Sequence, residues 1–112
     1  MEAKERTLLT YVKADGDAPF NDWLKTLKNI KARAIIRARL NRVRLGNFGD
    51  CKSVGEGVQE LRIKFAAGYR VYFAQEGDTI VILLSGGNKS TQSKDIKQAK
   101  VYWQDYKKRD ND

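Results

Sequence analysis

The clearest structural signal in the chain lies at residues 61–73, which read LRIKFAAGYRVYF. Apolar residues alternate with charged or polar ones on both sides of residues 66–68, AAG, a segment that can turn the chain. A period of two is typical of a strand with one buried face, so these residues predict a hairpin of two half-buried strands. The face opposite the apolar residues then carries Arg62, Lys64, Arg70 and Tyr72.

Two further strands and two loops are predicted around this hairpin. Residues 7–12 are rich in strand formers and predict a first strand. The continuous Ile, Val and Leu run within residues 79–84 predicts a strand buried on both faces, central in the sheet. Residues 46–57 predict a turn-rich connector, and residues 86–92 a polar loop.

Helices are predicted before and after the sheet. Pro19 suits a first helical turn and opens a short helix that ends near Leu27, and a second helix runs from about Asn29 to Leu45. Ile96, Ala99, Trp103 and Tyr106 predict a last helix, followed by a frayed tail at residues 107–112. The whole pattern predicts one α+β domain over residues 1–112: an N-terminal strand, a helical hairpin, an antiparallel sheet and a C-terminal helix.

Length and composition restrict the class of protein. The 112 residues are 41% hydrophobic and 32% charged, which suits a folded domain and is too polar for a membrane protein. The N-terminal residues lack the apolar core of a signal peptide, so a cytoplasmic location is expected. Cys51 is the one cysteine and the chain has no histidine, so neither an internal disulfide nor a zinc or haem site is expected, and no cofactor is predicted.

The charge of the chain predicts a polyanionic partner. Lys and Arg number 22 against 14 Asp and Glu, for a net charge of +8. RNA, DNA, a membrane surface and an acidic protein would all be attracted by such a charge. Every charged residue from Lys28 to Arg44 is basic, and the helical period aligns Arg33, Arg37 and Arg44 along one ridge. This ridge is either a solvated face or a surface that binds RNA or an acidic partner.

The polar face of the hairpin has the residue types needed to bind phosphate and to cleave RNA without a metal. Arg62 and Arg70 would stabilise the extra negative charge that develops on phosphorus. Lys64, or Lys89 from the following loop, would transfer protons, because neighbouring cations lower a lysine pKa. Tyr72 would stack on a base or donate a hydrogen bond. Alternating charge is also what an antiparallel sheet presents to water, so a purely structural explanation stays open.

Several motifs together resemble the RelE/HigB-like toxins of type II toxin–antitoxin systems, the addiction module killer protein family. They are LGNFGD at 45–50, VGEGV at 54–58, ELRI at 60–63, GYRVYF at 68–73 and LLSGGNKSTQ at 83–92. The resemblance extends from about Phe20 to Ala99. It implies a RelE/ParE-like fold, cleavage of mRNA at the ribosomal A site without a metal, and silencing by an antitoxin encoded beside the toxin.

The resemblance also implies site residues. The best-known site pattern of these toxins has two alternating basic residues before the turn, an Arg after Gly-Tyr and a basic residue in the last loop. The residues at those places in this chain are Arg62, Lys64, Arg70 and Lys89. The loop residues Ser90, Thr91 and Gln92 would contact RNA or the partner. These toxins often carry a catalytic Tyr or His near the C-terminal helix, where this chain has Asp95 and Ile96. Tyr72 is therefore the residue expected to take the role of that Tyr or His.

Two alternative functions remain from the sequence. A ParE-like relative would poison DNA gyrase without cutting RNA, since one fold serves both functions. A non-catalytic module would bind only its antitoxin or nucleic acid. Loss of translation in growing cells would indicate the nuclease, DNA damage the gyrase poison, and no effect the binding module.

Overall fold

A computed structural model describes residues 4–110 and confirms the predicted α+β fold class. Its elements, in chain order, are β1 (Thr7–Thr10), α1 (Pro19–Thr26), α2 (Ile30–Arg44), β2 (Cys51–Gly55), β3 (Val58–Ile63), β4 (Tyr69–Glu76), β5 (Ile80–Asn88), a 3-10 turn (Lys89–Thr91) and α3 (Gln92–Asp110). No helix within residues 4–110 is both long and apolar enough to cross a membrane.

The sheet has five strands in the order β1-β5-β4-β3-β2. Strands β3, β4 and β5 pair antiparallel, as predicted, and β2 also pairs antiparallel, with β3; β1 pairs parallel to β5, so the sheet is mixed. Strand β5 is an interior strand, buried from Val81 to Gly87, but β4 takes the middle position that was predicted for β5.

Helices cover both faces of the sheet. The hairpin of α1 and α2 packs Leu24, Ile36 and Leu40 against Leu61 and other side chains of one face, which we call the hairpin face. The opposite face lies under α3 and is called the α3 face; there Ala99 and Trp103 pack with Tyr72 and Leu84. The predicted polar face of the β3–β4 hairpin is therefore covered by a helix over part of its length, not open to water.

Three predicted boundaries are wrong. The connector at residues 46–57 contains an edge strand, β2, which pairs with β3 although its sequence, CKSVG, lacks a regular apolar alternation. Strand β3 ends at Ile63, so Lys64 belongs to the turn. Helix α3 continues through Asp110, into the tail expected to be frayed; residues 111 and 112 lie outside the described residues.

The Gly86-Gly87 pair continues strand β5 where a loop was predicted. A Cβ atom built on Gly86 would lie 2.2 Å from the Trp23 ring of α1, and one built on Gly87 would lie 1.8 Å from the Asp95 carboxylate of α3. The two glycines lie on opposite faces of the strand, and each lets a helix side chain approach the backbone. Their role is close packing of the helices on the sheet, not loop flexibility.

Candidate functional site

The site is centred on the carboxylate of Glu60 in β3, a residue that the sequence pattern did not predict. Glu60 is fully buried on the α3 face, and the β3–β4 register pairs it with Tyr72. Its Oε1 accepts a hydrogen bond from Arg62 Nε at 3.1 Å. Its Oε2 accepts one from Tyr72 Oη at 3.1 Å and one from Gln92 Nε2 of α3 at 2.8 Å. Three elements therefore meet at one buried anion.

Two arginines flank this carboxylate because of the strand register. Arg62 and Arg70 are paired across β3 and β4, so both guanidinium groups point to the α3 face. Arg70 Nε lies 3.5 Å from Glu60 Oε2, and Arg70 Nη1 donates to the Gly68 carbonyl at 3.0 Å. The Arg70 side chain is 12% exposed and that of Arg62 34%, so both are held by protein contacts yet still reach solvent.

The hydrogen bonds of the site control the charge of its members. Burial alone would raise the pKa of Glu60, but the hydrogen bonds from Gln92, Arg62 and Tyr72 and the charge of Arg70 outweigh it and hold that pKa below its usual range. Burial, the Glu60 charge and the hydrogen bond to Glu60 raise the pKa of Tyr72 above its usual value. Glu60 is therefore an anion at neutral pH and Tyr72 a neutral donor.

A pocket of about 460 Å³ lies beside this cluster, at the end of the sheet. Lys64, Arg70 and Lys89 line it together with the turn at residues 65–68. A Cβ built on Gly68 would lie 3.6 Å from Lys89 Cβ and 3.7 Å from Arg70 Nη1, so the turn and the segment after β5 approach each other closely here. Cations from three separate segments thus share one solvent-accessible pocket, which suits a phosphate group.

The start of α3 forms the other wall of the site. Asn88 caps the 3-10 turn by accepting from Ser90 N, and Thr91 Oγ1 donates to Asp95. Gly87, the β5 partner of Arg70, leaves the space that the Asp95 carboxylate occupies. The Asp95 charge contributes to the raised pKa of Tyr72. A second acid therefore stands close to the Glu60 cluster.

The sequence-predicted site residues fall into three groups in the structure. Arg62, Arg70 and Tyr72 lie together around Glu60, whereas Lys64 and Lys89 are exposed at the rim. Of the three residues predicted to contact RNA or the partner, Gln92 is engaged inside the cluster, while Ser90 and Thr91 are exposed and bonded to their own turn. The prediction that Tyr72 stacks on a base is wrong, because its side chain is fully buried under α3.

The basic ridge of α2 lies apart from this site. Helix α2 covers the hairpin face, on the other side of the sheet from Glu60. Arg37 is exposed, and Arg44 is paired with Glu5 at 3.2 Å, so Arg33, Arg37 and Arg44 do not extend the cationic cluster. Arg39 is buried instead, and its Nη2 donates to the carbonyls of Phe48 and Asp50, which anchors the connector before β2.

Strand parity could have identified Glu60 from the sequence. The alternation that sends Leu61 and Ile63 to one face sends Glu60 and Arg62 to the other, two residues apart. A carboxylate at such a position is ordinarily expected to be solvated, since Glu is rarely fully buried unless it is paired. Only the position of α3, which supplies Gln92 and covers the strands, makes this residue the centre of a buried network.

Two comparisons with known proteins show the family of this chain. The profile of the family described as "Phage derived protein Gp49-like (DUF891)" matches residues 22–107. A protein of Haemophilus influenzae (strain ATCC 51907 / DSM 11121 / KW20 / Rd), described only as uncharacterized, is 56% identical over 86 residues, which cover 77% of this chain and 87% of that protein. The chain belongs to the Gp49-like family, which is associated with the toxins of toxin–antitoxin systems, and an antitoxin partner is implied.

Proposed function

We propose that this protein is a RelE/HigB-type toxin that cleaves mRNA on translating ribosomes in the cytoplasm, without a metal or other cofactor. One observation carries the proposal: Lys64, Arg70 and Lys89 line one pocket, and Glu60 joins Arg70 to Arg62 beside it. The four cations, Arg62, Lys64, Arg70 and Lys89, outnumber the two nearby acids, Glu60 and Asp95, so the site attracts a phosphate and favours the extra charge of the transition state.

The proposed reaction is attack of a ribose 2′-oxygen on the adjacent phosphorus. The 2′-hydroxyl proton passes to a base, a new O–P bond forms, and the bond to the 5′-oxygen breaks as that oxygen takes up a proton. The products are a 2′,3′-cyclic phosphate and a 5′-hydroxyl. Lys64 and Lys89 are the proposed proton carriers because both reach the pocket from solvent-exposed positions, whereas an arginine stays protonated.

Glu60 and Tyr72 have a different proposed role, as positioning residues. Glu60 already accepts hydrogen bonds from Arg62, Tyr72 and Gln92, and its pKa is held low, so it is a poor acceptor for a further proton. By holding Arg62 and facing Arg70 it fixes the direction of both guanidinium groups. Preorganised donors of this kind need no rearrangement when charge develops on the phosphate.

The experiment that tests the proposal compares wild type with Arg70→Ala in a translating extract, with mRNA ends mapped by primer extension. Wild type should produce new ends near the A site, and the variant should lose about two to three orders of magnitude in rate, as for removal of one charged donor. Lys97→Ala, an exposed cation on the outer side of α3, is the matched control and should cut normally.

Intact mRNA with wild type, and translation that is unaffected, would contradict the nuclease proposal. A DNA gyrase supercoiling assay would then test the ParE-like alternative. Equal cutting by wild type and Arg70→Ala would instead show that the cleaving site lies elsewhere.

A further inference from the structure

A second, larger concavity lies on the side of the molecule where α2 meets the end of β3. It has a volume of about 860 Å³. Ile35 and Ala38 of α2 and Ile63 of β3 contribute apolar surface, and Arg42 and Lys64 contribute cations. Arg62 also lines the groove, but its guanidinium group is bonded to Glu60 on the α3 face. We call this concavity the α2–β3 groove. The basic ridge of Arg33, Arg37 and Arg44 does not line it.

The charge of the α2–β3 groove is strongly one-sided. Asp50 is its one acidic lining residue, and it lies next to Arg39. Burial and the nearby charge of Arg42 lower the pKa of Arg39. Within residues 4–110, neither Arg42 nor Lys64 is in an ion pair, whereas Arg44, on the neighbouring ridge, has Glu5 as its partner. Arg42 and Lys64 are therefore available to an external anion, whereas Arg62 is paired with Glu60.

The mixture of apolar surface and free cations favours a protein segment over RNA. A nucleic acid backbone would gain from the cations but would leave Ile35, Ala38 and Ile63 without matching apolar groups, and Asp50 would repel its phosphates. An amphipathic helix with a stripe of apolar residues flanked by Asp or Glu satisfies both features. The α2 residues of the groove run from Ile35 to Arg42, about 10 Å of helix, which matches about two turns of a docked helix.

We propose that the α2–β3 groove docks an acidic, amphipathic helical segment of the antitoxin and that this docking directly inhibits the cationic site. The inference rests on the proposed function and deepens it by assigning the partner a surface. The connection is physical: Arg62 and Lys64 belong both to the groove and to the site. Carboxylates of a docked helix would engage Lys64, the free cation that the two concavities share, and remove it from the RNA phosphate.

The test measures binding of the purified antitoxin, the protein encoded beside this chain, to the full-length protein by isothermal titration calorimetry. Ala38→Trp fills the groove and Arg42→Glu reverses one of its free charges; both residues are exposed, and neither is proposed to act in cleavage. Each change should weaken binding at least about tenfold, mainly through faster dissociation. Thermal melting verifies that both variants are folded.

Two charge-matched controls make the result specific. Lys97→Glu on α3 and Arg37→Glu on the outer ridge of α2 each change the charge by the same amount as Arg42→Glu, and both should leave the affinity within about twofold of wild type. Equal weakening of binding by all three charge reversals would mean that only net charge attracts the antitoxin, and this would contradict docking in the groove. Weakening by Arg37→Glu alone would assign the antitoxin to the outer ridge of α2 and would also contradict docking in the groove.

The remaining outcomes separate this inference from the proposed function. If groove variants bind antitoxin normally but lose RNA binding, the groove is an RNA surface and the docking proposal is wrong. If wild type does not bind the antitoxin at all, the toxin–antitoxin assignment itself fails. If the antitoxin binds in the groove but the protein does not cleave mRNA, the docking proposal stands and the nuclease proposal falls.

Discussion

The two faces of the β3–β4 hairpin are both covered by helices, but at the end of the hairpin nearest the turn they are built from opposite kinds of residue. The hairpin face presents Leu61, Ile63, Val71 and Phe73 to α1 and α2. The α3 face presents Glu60, Arg62, Arg70 and Tyr72 at the end where α3 begins. Both sets come from alternating residues of the same two strands, so strand alternation separates the residues of a dry core from those of a charged site.

This difference has an energetic consequence. Burial of apolar area stabilises a fold by about 25 cal/mol per Å², whereas a buried ion network roughly offsets the cost of removing its charges from water. The hairpin face should therefore supply most of the stability and the α3 face most of the function. Substitutions on one face should change the free energy of unfolding, and substitutions on the other should change activity.

The largest stability effect is expected for Phe73→Ala on the hairpin face. Phe73 is 1% exposed and packs against Phe48, with ring centroids 5.7 Å apart. Its truncation leaves a cavity that should cost about 3–5 kcal/mol of unfolding free energy, measured by urea denaturation. Phe73→Leu, the control, should cost much less. A loss of RNA cleavage per folded molecule in either variant would break the proposed division between the faces.

The next effect is expected for Glu60→Gln on the α3 face. The neutral amide keeps the shape but leaves Arg62 and Arg70 without a counter-ion, so unfolding free energy should fall by about 2–3 kcal/mol. Cleavage should fall at least about tenfold, because the two donors lose their fixed direction. Unchanged cleavage would show that Glu60 contributes to folding and not to positioning.

Acid should remove the contribution of Glu60 to stability. Its pKa is lower in the folded protein than in the unfolded chain, where it is about 4.3, so the folded state binds fewer protons. The contribution is present above about pH 4.3 and is lost as the pH falls through the folded pKa. The difference in unfolding free energy between wild type and Glu60→Gln should therefore shrink in urea titrations below about pH 4. A difference that stays constant down to about pH 3 would contradict the ionised Glu60 network.

The smallest effects should come from a matched pair, Gly86→Ala and Gly87→Ala. The first introduces a Cβ against the Trp23 ring on the hairpin face, and the second introduces one against Asp95 on the α3 face. Overpacking of this kind costs about 1–3 kcal/mol, and Gly86→Ala should be the more destabilising because a ring moves less easily than the end of a carboxylate side chain. Only Gly87→Ala should reduce cleavage. Equal loss of cleavage in both would mean that the helices of the two faces are coupled.

The elements that the sequence predicted correctly have strong local patterns. The basic helix α2 has its apolar stripe at Ile36, Leu40 and Val43, and all three are buried as expected. The helical hairpin, the β3–β4 hairpin and α3 also appear in the predicted order. Strand β2 was missed because CKSVG is an edge strand with little apolar content, and its pairing with β3 depends on residues elsewhere in the chain.

Within the site, local pattern identified residues better than it identified their surroundings. The shared face of Arg62 and Arg70 follows from strand parity and is confirmed by their direct pairing. The burial of Tyr72 and the central position of Glu60 were not predicted, because both depend on where α3 lies across the sheet. A helix position of this kind results from contacts between distant parts of the chain, and no local period encodes it.

The sequence by itself therefore determined the alternation of β3 and β4, the cationic character of α2 and the excess of positive charge, because each is a property of neighbouring residues or of composition. The tertiary structure alone decided that Glu60 and Gln92, which are far apart in the chain, form a 2.8 Å hydrogen bond, and that Lys64 borders both the cationic pocket and the α2–β3 groove. The physical reason is that burial and charge pairing depend on which side chains meet in space, and here those side chains come from three separate elements.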